Sequence, residues 1–459
     1  MHIERILLRD VGPFDDVTIE LPKGTDPKLA DVYLLTGPNG TGKSTILYAL
    51  ASVIGGRSIF GAGVVELGGD LLAARMRSRN ALVAFRTDDG QTFAATLSQD
   101  SNDLRDPFGG SGLVGTSGGA LVQWQANAHG QLNAHLSRYG TLAAIFRADI
   151  PPEARSTFGW VAFAYAGVRS VSDVEITAVH EPKHSPFENS LSFLATTDTS
   201  QLANWIASQN FRRLKAKEAG HVERAEQLAR SVRDIESVVA QIVDDPDFGF
   251  VITDEDDDVR IRWKGAIVRL GLLPDGLKSI VSWVADLLMR LDRIPWQDNT
   301  PVLQRKFLLL LDEVDIHLHP AWQRKVLPLV QRMFPNAQII ASTHSPFVVS
   351  SVDDARIITL GFRGQSSVVV SETAPQIGTS YTAVLRSIFG IDSEFDIDTE
   401  QTLAKFHAAK QRLLTGDAAA QAEVERLAEV LANRSEELRE VVALELGQLR
   451  RHQRLRAAP

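Results

Sequence analysis

The chain has no cysteine in its 459 residues. That excludes disulfides, thiolate metal sites and cysteine nucleophiles, and it fits a cytoplasmic address. No run approaches the roughly 18 consecutive apolar residues of a membrane-crossing helix, so no membrane partner is expected. The opening Met1-His2-Ile3-Glu4-Arg5 lacks the apolar segment of a secretory leader. Positive charge is also in short supply, with 48 Lys and Arg against 57 Asp and Glu and a net charge of −9. Such a surface does not coat nucleic acid as a whole, although it leaves room for a local basic patch. What is present is ordinary globular composition, 44% hydrophobic and 23% charged, with length enough for two or three domains.

One segment fixes the ligand class. Gly37-Pro38-Asn39-Gly40-Thr41-Gly42-Lys43-Ser44-Thr45 satisfies G-x-x-x-x-G-K-[ST]. The apolar strand Val32 to Leu35 enters it and the helical run Ile46 to Leu50 leaves it. Glycines there let the backbone curl so that successive N–H groups point at a phosphate. Lys43 is placed to reach the β- and γ-phosphates, and the Ser44 hydroxyl to ligate Mg²⁺. The expected ligand is therefore ATP or another nucleoside triphosphate with its magnesium.

The rest of the chain reads as alternating elements. Strands are expected at Ile3 to Leu8, Val17 to Leu21 and Val32 to Leu35, with antiparallel hairpins between about 81 and 137. Pro107 to Gly119 reads as a glycine-rich connection. From 198 to 243 the pattern is helical, and Ala225, Leu228, Val232, Ile235, Val239 and Ile242 form a stripe of period 3.5. It spans under three heptads, which suits a short helix–helix seam better than a long arm. A further hairpin (Phe250 to Ile252, Val259 to Ile261) carries the acidic turn Asp254 to Asp258. Those acids lack the spacing and central glycine of a calcium loop and read as a solvated turn.

Four more pieces belong near the phosphates. Phe307 to Leu311 is a continuous apolar run, as in a strand buried on both faces of a parallel sheet, and it ends in Asp312-Glu313. Acids at that end face the ligand crevice of such sheets. Asp312 is expected in the Mg²⁺ shell and Glu313 as the base that deprotonates the attacking water; the plainer alternative is a core strand with capping acids. Gln338 to Ser342 is the next strand, and His344 beyond it is placed to contact the γ-phosphate and hold the water. Pro274-Asp275-Gly276-Leu277-Lys278-Ser279 opens an apolar-periodic helix whose free N–H groups form an anion site. It is either a capped helix or a contact to the γ-phosphate of a second subunit, which would make ATP the glue of a dimer. His317 and His319 stand two apart without a third ligand, so positioning of their turn is preferred to zinc.

Together these pieces resemble the ABC-type ATPases of the RecF/SMC/overcoming-lysogenization-defect group. Gly37 to Thr45 is similar to that group's Walker A, Leu308 to Glu313 to its Walker B, Asp315 to Pro320 to its D-loop, and Ser342 to Pro346 to its switch-histidine segment. Asp312 to Pro320 followed by Thr343-His344-Ser345-Pro346 is especially similar to the stand-alone ATPases of bacterial anti-phage systems, Septu-type and retron-associated. The resemblance covers residues 1–60 and 265–360 well. It implies an α/β ATPase head, a mixed sheet flanked by helices, with antiparallel hairpins, a short helical insertion and a helical tail. The implied division is 1–197 and 248–375 for the two parts of the head, 198–247 for the insertion and 376–459 for the tail.

It further implies ATP hydrolysis in a head-to-head homodimer or an oligomer of dimers, each ATP completed by the partner's Asp275, Gly276, Lys278 and Ser279. Asp315 takes the D-loop role. A partner nuclease of HNH-like kind and DNA or phage sensing are also implied. Three departures stand out. The signature's usual serine is Pro274, no Q-loop glutamine lies in Trp160 to Arg169, and the residues after His344 lack the clustered acids of a Toprim nuclease. Phe211 to Lys217 and Arg450 to Arg456 are the densest basic stretches, either phosphate contacts or solvated helix faces. Amphipathic tail helices (Leu403, Phe406, Leu413, Leu414; Leu427, Val430, Leu431, Leu438) suit docking of another protein or packing against the head. Two functional readings remain: an ATPase controlling a nuclease in phage defence, or an ATP-gated DNA clamp in repair with slow turnover. A small-molecule kinase leaves Glu313, His344 and the signature helix unexplained together.

Overall fold

The computed structural model describes residues 2–55, 75–78, 80–90, 92–96, 108, 113–116, 122–126, 158–167, 186–187, 190–193, 199–253, 259–374, 379–393 and 395–457. The acidic turn at 254–258 and most of the glycine-rich stretch lie outside them. The chain divides into two units, Met1–Val384 and Leu385–Pro459. Among the described residues no helix is long and apolar enough to cross a membrane.

A six-stranded sheet carries the site. Its order is β15 (Ser366–Thr373), β14 (Ala355–Arg363), β3 (Asp31–Thr36), β13 (Gln338–Ser342), β12 (Phe307–Leu311), β8 (Val161–Tyr165), with only β15 antiparallel. Every residue of β8, β12 and β13 is buried, which is why they read as unbroken apolar runs rather than alternating ones. In register, Leu311 faces Tyr165 on one side and Ala341 on the other, and Ser342 faces Leu35. The carboxyl ends of four parallel strands therefore gather at one level, the crevice where such sheets bind ligands.

A second sheet is antiparallel, in the order β2 (Phe14–Glu20), β1 (Ile3–Val11), β4 (Leu82–Thr87), β5 (Thr92–Thr96), β7 (Val122–Ala126), β6 (Leu113–Thr116). β6 falls inside the stretch expected to be a glycine-rich connection, whose inner residues Leu113, Val114 and Thr116 have strand propensity of their own. Gln338 joins the two sheets: its amide accepts from Ile3 N at 2.8 Å and donates to Ile3 O at 2.8 Å, completing the pairing that a strand neighbour would make.

Helix α1 (Lys43–Gly55) leaves the phosphate loop. The stretch expected to be an insertion holds a helical hairpin, α2 (Thr199–Glu218) and α3 (Val222–Val243), turning at Gly220, whose φ of +76° suits glycine. Of the expected stripe, Ala225, Leu228, Ile235, Val239 and Ile242 are buried. Beyond it a three-stranded sheet, β9 (Gly249–Ile252), β10 (Val259–Trp263) and β11 (Ala266–Arg269), adds one strand to the expected hairpin. The helix opened by Pro274 runs as α4 (Asp275–Ile280), a single π turn (Val281–Ala285) and α5 (Asp286–Arg293). It is buried almost all round, with Trp283 at its centre. α6 (Pro320–Met333) and α7 (Pro346–Val349) follow β12 and β13.

After α8 (Tyr381–Ser387), the tail forms α9 (Ile397–Thr415), α10 (Ala420–Ala432) and α11 (Glu436–Ala457). These helices have their own core, built from Leu403, Phe406, Ala409, Val424, Leu427, Leu431, Leu438 and Val442. The amphipathic stripes thus serve internal packing. Val430, expected on the apolar face, is instead exposed, because the face turned inward runs through Val424, Leu427, Ala428 and Leu431.

Candidate functional site

The phosphate loop closes where β3 ends. Gly37 has φ +127°, and a Cβ there would stand 2.2 Å from Leu360 O, so no side chain fits. Gly42, at φ +93°, is packed against the ring of Phe14 in the same way. Pro38, Asn39 and Gly40 form the exposed lip, while Thr41, Lys43 and Thr45 are buried. The Lys43 ammonium donates to Gly37 O at 2.9 Å and Pro38 O at 3.0 Å, inside the cradle that a phosphate oxygen would fill. Burial lowers its pKa, opposed by the charges of Asp312, Glu313 and Asp315. A buried cation folded onto carbonyl oxygens and facing carboxylates fits an anionic ligand, and the N-terminus of α1 adds its N–H groups to the same point.

Asp312, one residue beyond β12, is buried and held on every side. Its N–H donates to Tyr165 O at 2.9 Å. Its Oδ1 accepts from Ser44 Oγ at 3.0 Å and Ser342 Oγ at 2.6 Å, and its Oδ2 from Tyr48 OH at 3.4 Å. Burial and the nearby Asp312 charge push the Tyr48 phenol up to about 12, so it stays a donor. Ser44 and Asp312 are hard oxygen ligands in contact, which fits a magnesium ion between them. When bound, that ion would supply charge neutralisation at the phosphates.

Glu313 follows in a left-handed backbone conformation, φ +45°, uncommon for a residue with a Cβ. Gly167, just past β8, lies against it, and a Cβ on Gly167 would stand 2.8 Å from Glu313 Oε2. This is the segment without a Q-loop glutamine; Val168 and Arg169 lie outside the described residues. Asp315 Oδ1 accepts from Thr343 Oγ1 at 2.5 Å and from His344 N at 3.3 Å. Gln323 ties the same turn down, donating to Asp315 O at 3.1 Å and Leu318 O at 2.9 Å while accepting from Ser345 Oγ. His344 itself is exposed; desolvation and the Lys43 cation hold its pKa below the ordinary value, against Asp315, Glu313 and Asp312. His319 caps α6, its Nδ1 accepting from Ala321 N at 3.2 Å.

The structure brings together Lys43, Ser44, Asp312, Glu313, Asp315 and His344 as expected of one crevice. Of the signature residues, Asp275 is exposed and pairs with Lys278 at 3.5 Å. Gly276 is buried beneath the His317 carbonyl and Trp322, where a Cβ would meet His317 O at 2.7 Å. Ser279 has no exposed surface, so within this fold its hydroxyl is not offered to a second subunit. Sequence reasoning missed Tyr48, Ser342, Thr343 and Gln323. Tyr48 alone carried a signal, since it stands one helical turn after Ser44.

Comparison with known proteins falls on these segments. An AAA domain family matches residues 5–66, and an AAA domain family whose description also names the AbiEii toxin of type IV toxin–antitoxin systems matches 174–350. The two matched segments include the phosphate loop and the acids that follow β12, respectively. It is similar to the Septu protein PtuA of Bacillus thuringiensis, 30% identical over 29% of this chain and 35% of that one. It is also similar to the Retron Vc95 probable ATPase of Vibrio cholerae, 26% identical over 46% of this chain and 40% of that one. The Retron Ec83 probable ATPase of Escherichia coli is 38% identical over 18% of this chain and 16% of that one. The matched segment is thus less than half of each of these relatives. Among solved structures, an SMC head bound to the C-winged helix domain of ScpA matches with TM-score 0.44 and 17% identity, covering 82% of this chain and 98% of that one. The resemblance read from the motifs is borne out.

Proposed function

We propose that this chain binds and hydrolyses Mg-ATP, that two copies enclose the nucleotides between them, and that the cycle controls a partner nuclease in anti-phage defence. The observation that carries the reading is the contact of Ser44 with Asp312 at 3.0 Å, at strand ends that also present Lys43, Glu313 and His344. Lys43 and the loop N–H groups hold the phosphates. Glu313 takes the proton of the attacking water as its oxygen bonds the γ-phosphorus and the bond to the ADP oxygen breaks. His344, whose pKa desolvation and Lys43 hold below the ordinary value, orients the water by hydrogen bonding. The exposed Asp275 and the partly buried Lys278 at the N-terminus of α4 are the surface through which a second copy would complete the site. The nuclease assignment rests on similarity to Septu and retron ATPases.

Glu313→Gln should bind Mg-ATP, lose turnover by on the order of 10²- to 10⁴-fold and accumulate as a dimer by light scattering. A variant that remains monomeric with saturating Mg-ATP removes the dimer. Phage plating on cells carrying this chain with the adjacent reading frame, with and without Lys43→Ala, tests the defence role. The DNA-clamp reading is favoured by one feature, the exposed Phe211, Lys215 and Lys217 along α2. It requires salt-dependent DNA affinity without any nuclease.

A further inference from the structure

The ATPase reading leaves open what aims Glu313. A carboxylate acting on one water must be held in one direction, yet the residue that carries it stands at φ +45°, a conformation that L-residues seldom adopt unaided. Something outside the turn has to maintain it.

Ser342, the last residue of β13, grips three consecutive residues of that turn. Its hydroxyl donates to Asp312 Oδ1 at 2.6 Å and accepts from Glu313 N at 2.7 Å. Its carbonyl accepts from Val314 N at 3.1 Å. The serine is itself fixed, being 1% exposed and in register with Leu35 of β3, which leads into the phosphate loop. Gly167 closes the opposite side of Glu313. The next residue extends the clasp, since Thr343 Oγ1 donates to Asp315 Oδ1.

We infer that Ser342 is a positioning residue for hydrolysis: its one hydroxyl sets the left-handed turn at Glu313 and the carboxylate plane of Asp312 together. Two hydroxyls, Ser44 and Ser342, donate to the same Asp312 oxygen. If Ser44 turns toward a magnesium ion, Ser342 is the donor that stays, and it keeps Asp312 in place through the exchange. Alanine at 342 leaves the Glu313 N–H without its acceptor and frees the turn to relax. Misplacement by about 1 Å of a group that acts on the water costs roughly 10²-fold in rate. Nucleotide affinity, which rests on Lys43 and the loop, stays.

The inference rests on the ATPase reading, and the test separates the two. Mg-ATP binding is followed with a fluorescent ATP analogue and turnover by phosphate release, in wild type, Ser342→Ala, Ser342→Thr, Glu313→Gln and the double variant Ser342→Ala/Glu313→Gln. Wild type that neither binds the analogue nor releases phosphate overturns the ATPase reading, and the inference with it. Given turnover, Ser342→Ala should lower kcat by about 10- to 100-fold with analogue affinity within about twofold of wild type. Ser342→Thr, which restores the hydroxyl, should recover part of the rate. In the Glu313→Gln background the alanine should cost nothing more, because there is no base left to aim. An unchanged kcat, a loss seen only as weaker binding, or a full additional loss in the double variant overturns the assignment.

Discussion

His344 is the residue whose charge reports most directly on the site. Desolvation comes first among the causes that lower its pKa and the Lys43 cation second, while Asp315, Glu313 and Asp312 pull the other way. Its ring titration, followed by NMR, should have a midpoint below the ordinary 6.5. Lys43→Ala removes a nearby positive charge, so the midpoint should rise, with desolvation still acting against the charged form. A midpoint that stays put in Lys43→Ala would mean the two side chains do not share a field. The sign for stability follows. A histidine with a depressed folded pKa takes up its proton more readily when unfolded, so this residue costs stability as pH falls below 6.5 and costs nothing well above it. That Lys43, Asp312 and Glu313 lie in one crevice was legible because each role proposed for them needs a particular residue type at a fixed spacing from a glycine loop or a strand end. Ser342 was not. Serine is common, and its contact is with a carboxylate thirty positions away in the chain.

At the scale of elements, one buried contact links β8 to the helix after Pro274. Asp286, 2% exposed, accepts from Tyr165 OH at 2.8 Å and Arg290 Nε at 2.6 Å, and Arg290 Nη1 donates to Pro186 O at 2.8 Å. Tyr165 is the same residue whose carbonyl receives the Asp312 N–H, so strand, acid and helix share a single node. The π turn at Val281–Ala285 directly precedes Asp286 and sets the rotation of α5. Asp286→Leu strands a buried guanidinium and should cost about 3–5 kcal/mol in urea unfolding. Adding Arg290→Met should recover most of that loss, because no charge then remains buried. A double variant as unstable as the single one would show that the charge pair is not what matters there. None of this was visible as pattern, since an aspartate and an arginine four apart read as a solvated helix pair. The β14 and β15 strands were missed for a related reason. β15 alternates only loosely between inside and outside, as an outer antiparallel strand does, so it lacks the dense apolar run that revealed β12.

Across the whole molecule, the amphipathic stripes of the tail were legible as helices but not as to what they cover, because a helix that docks a partner and one that packs on its neighbours carry the same period. The structure resolves this within the second unit. Phe406 is fully buried among Leu403, Val424, Leu427 and Leu431. No residue of this core belongs to the first unit, and the phosphate loop and its acids all do. A unit this small has little stability in reserve. Phe406→Ala should remove about 3–5 kcal/mol, enough to open α9 to α11 locally. The expected result is rapid trypsin cleavage confined to the region beyond Leu385, with affinity for Mg-ATP retained by the remaining head. Loss of nucleotide binding in step with that cleavage would show instead that the head depends on the tail for its fold, and the division into two separately stabilised units would fall.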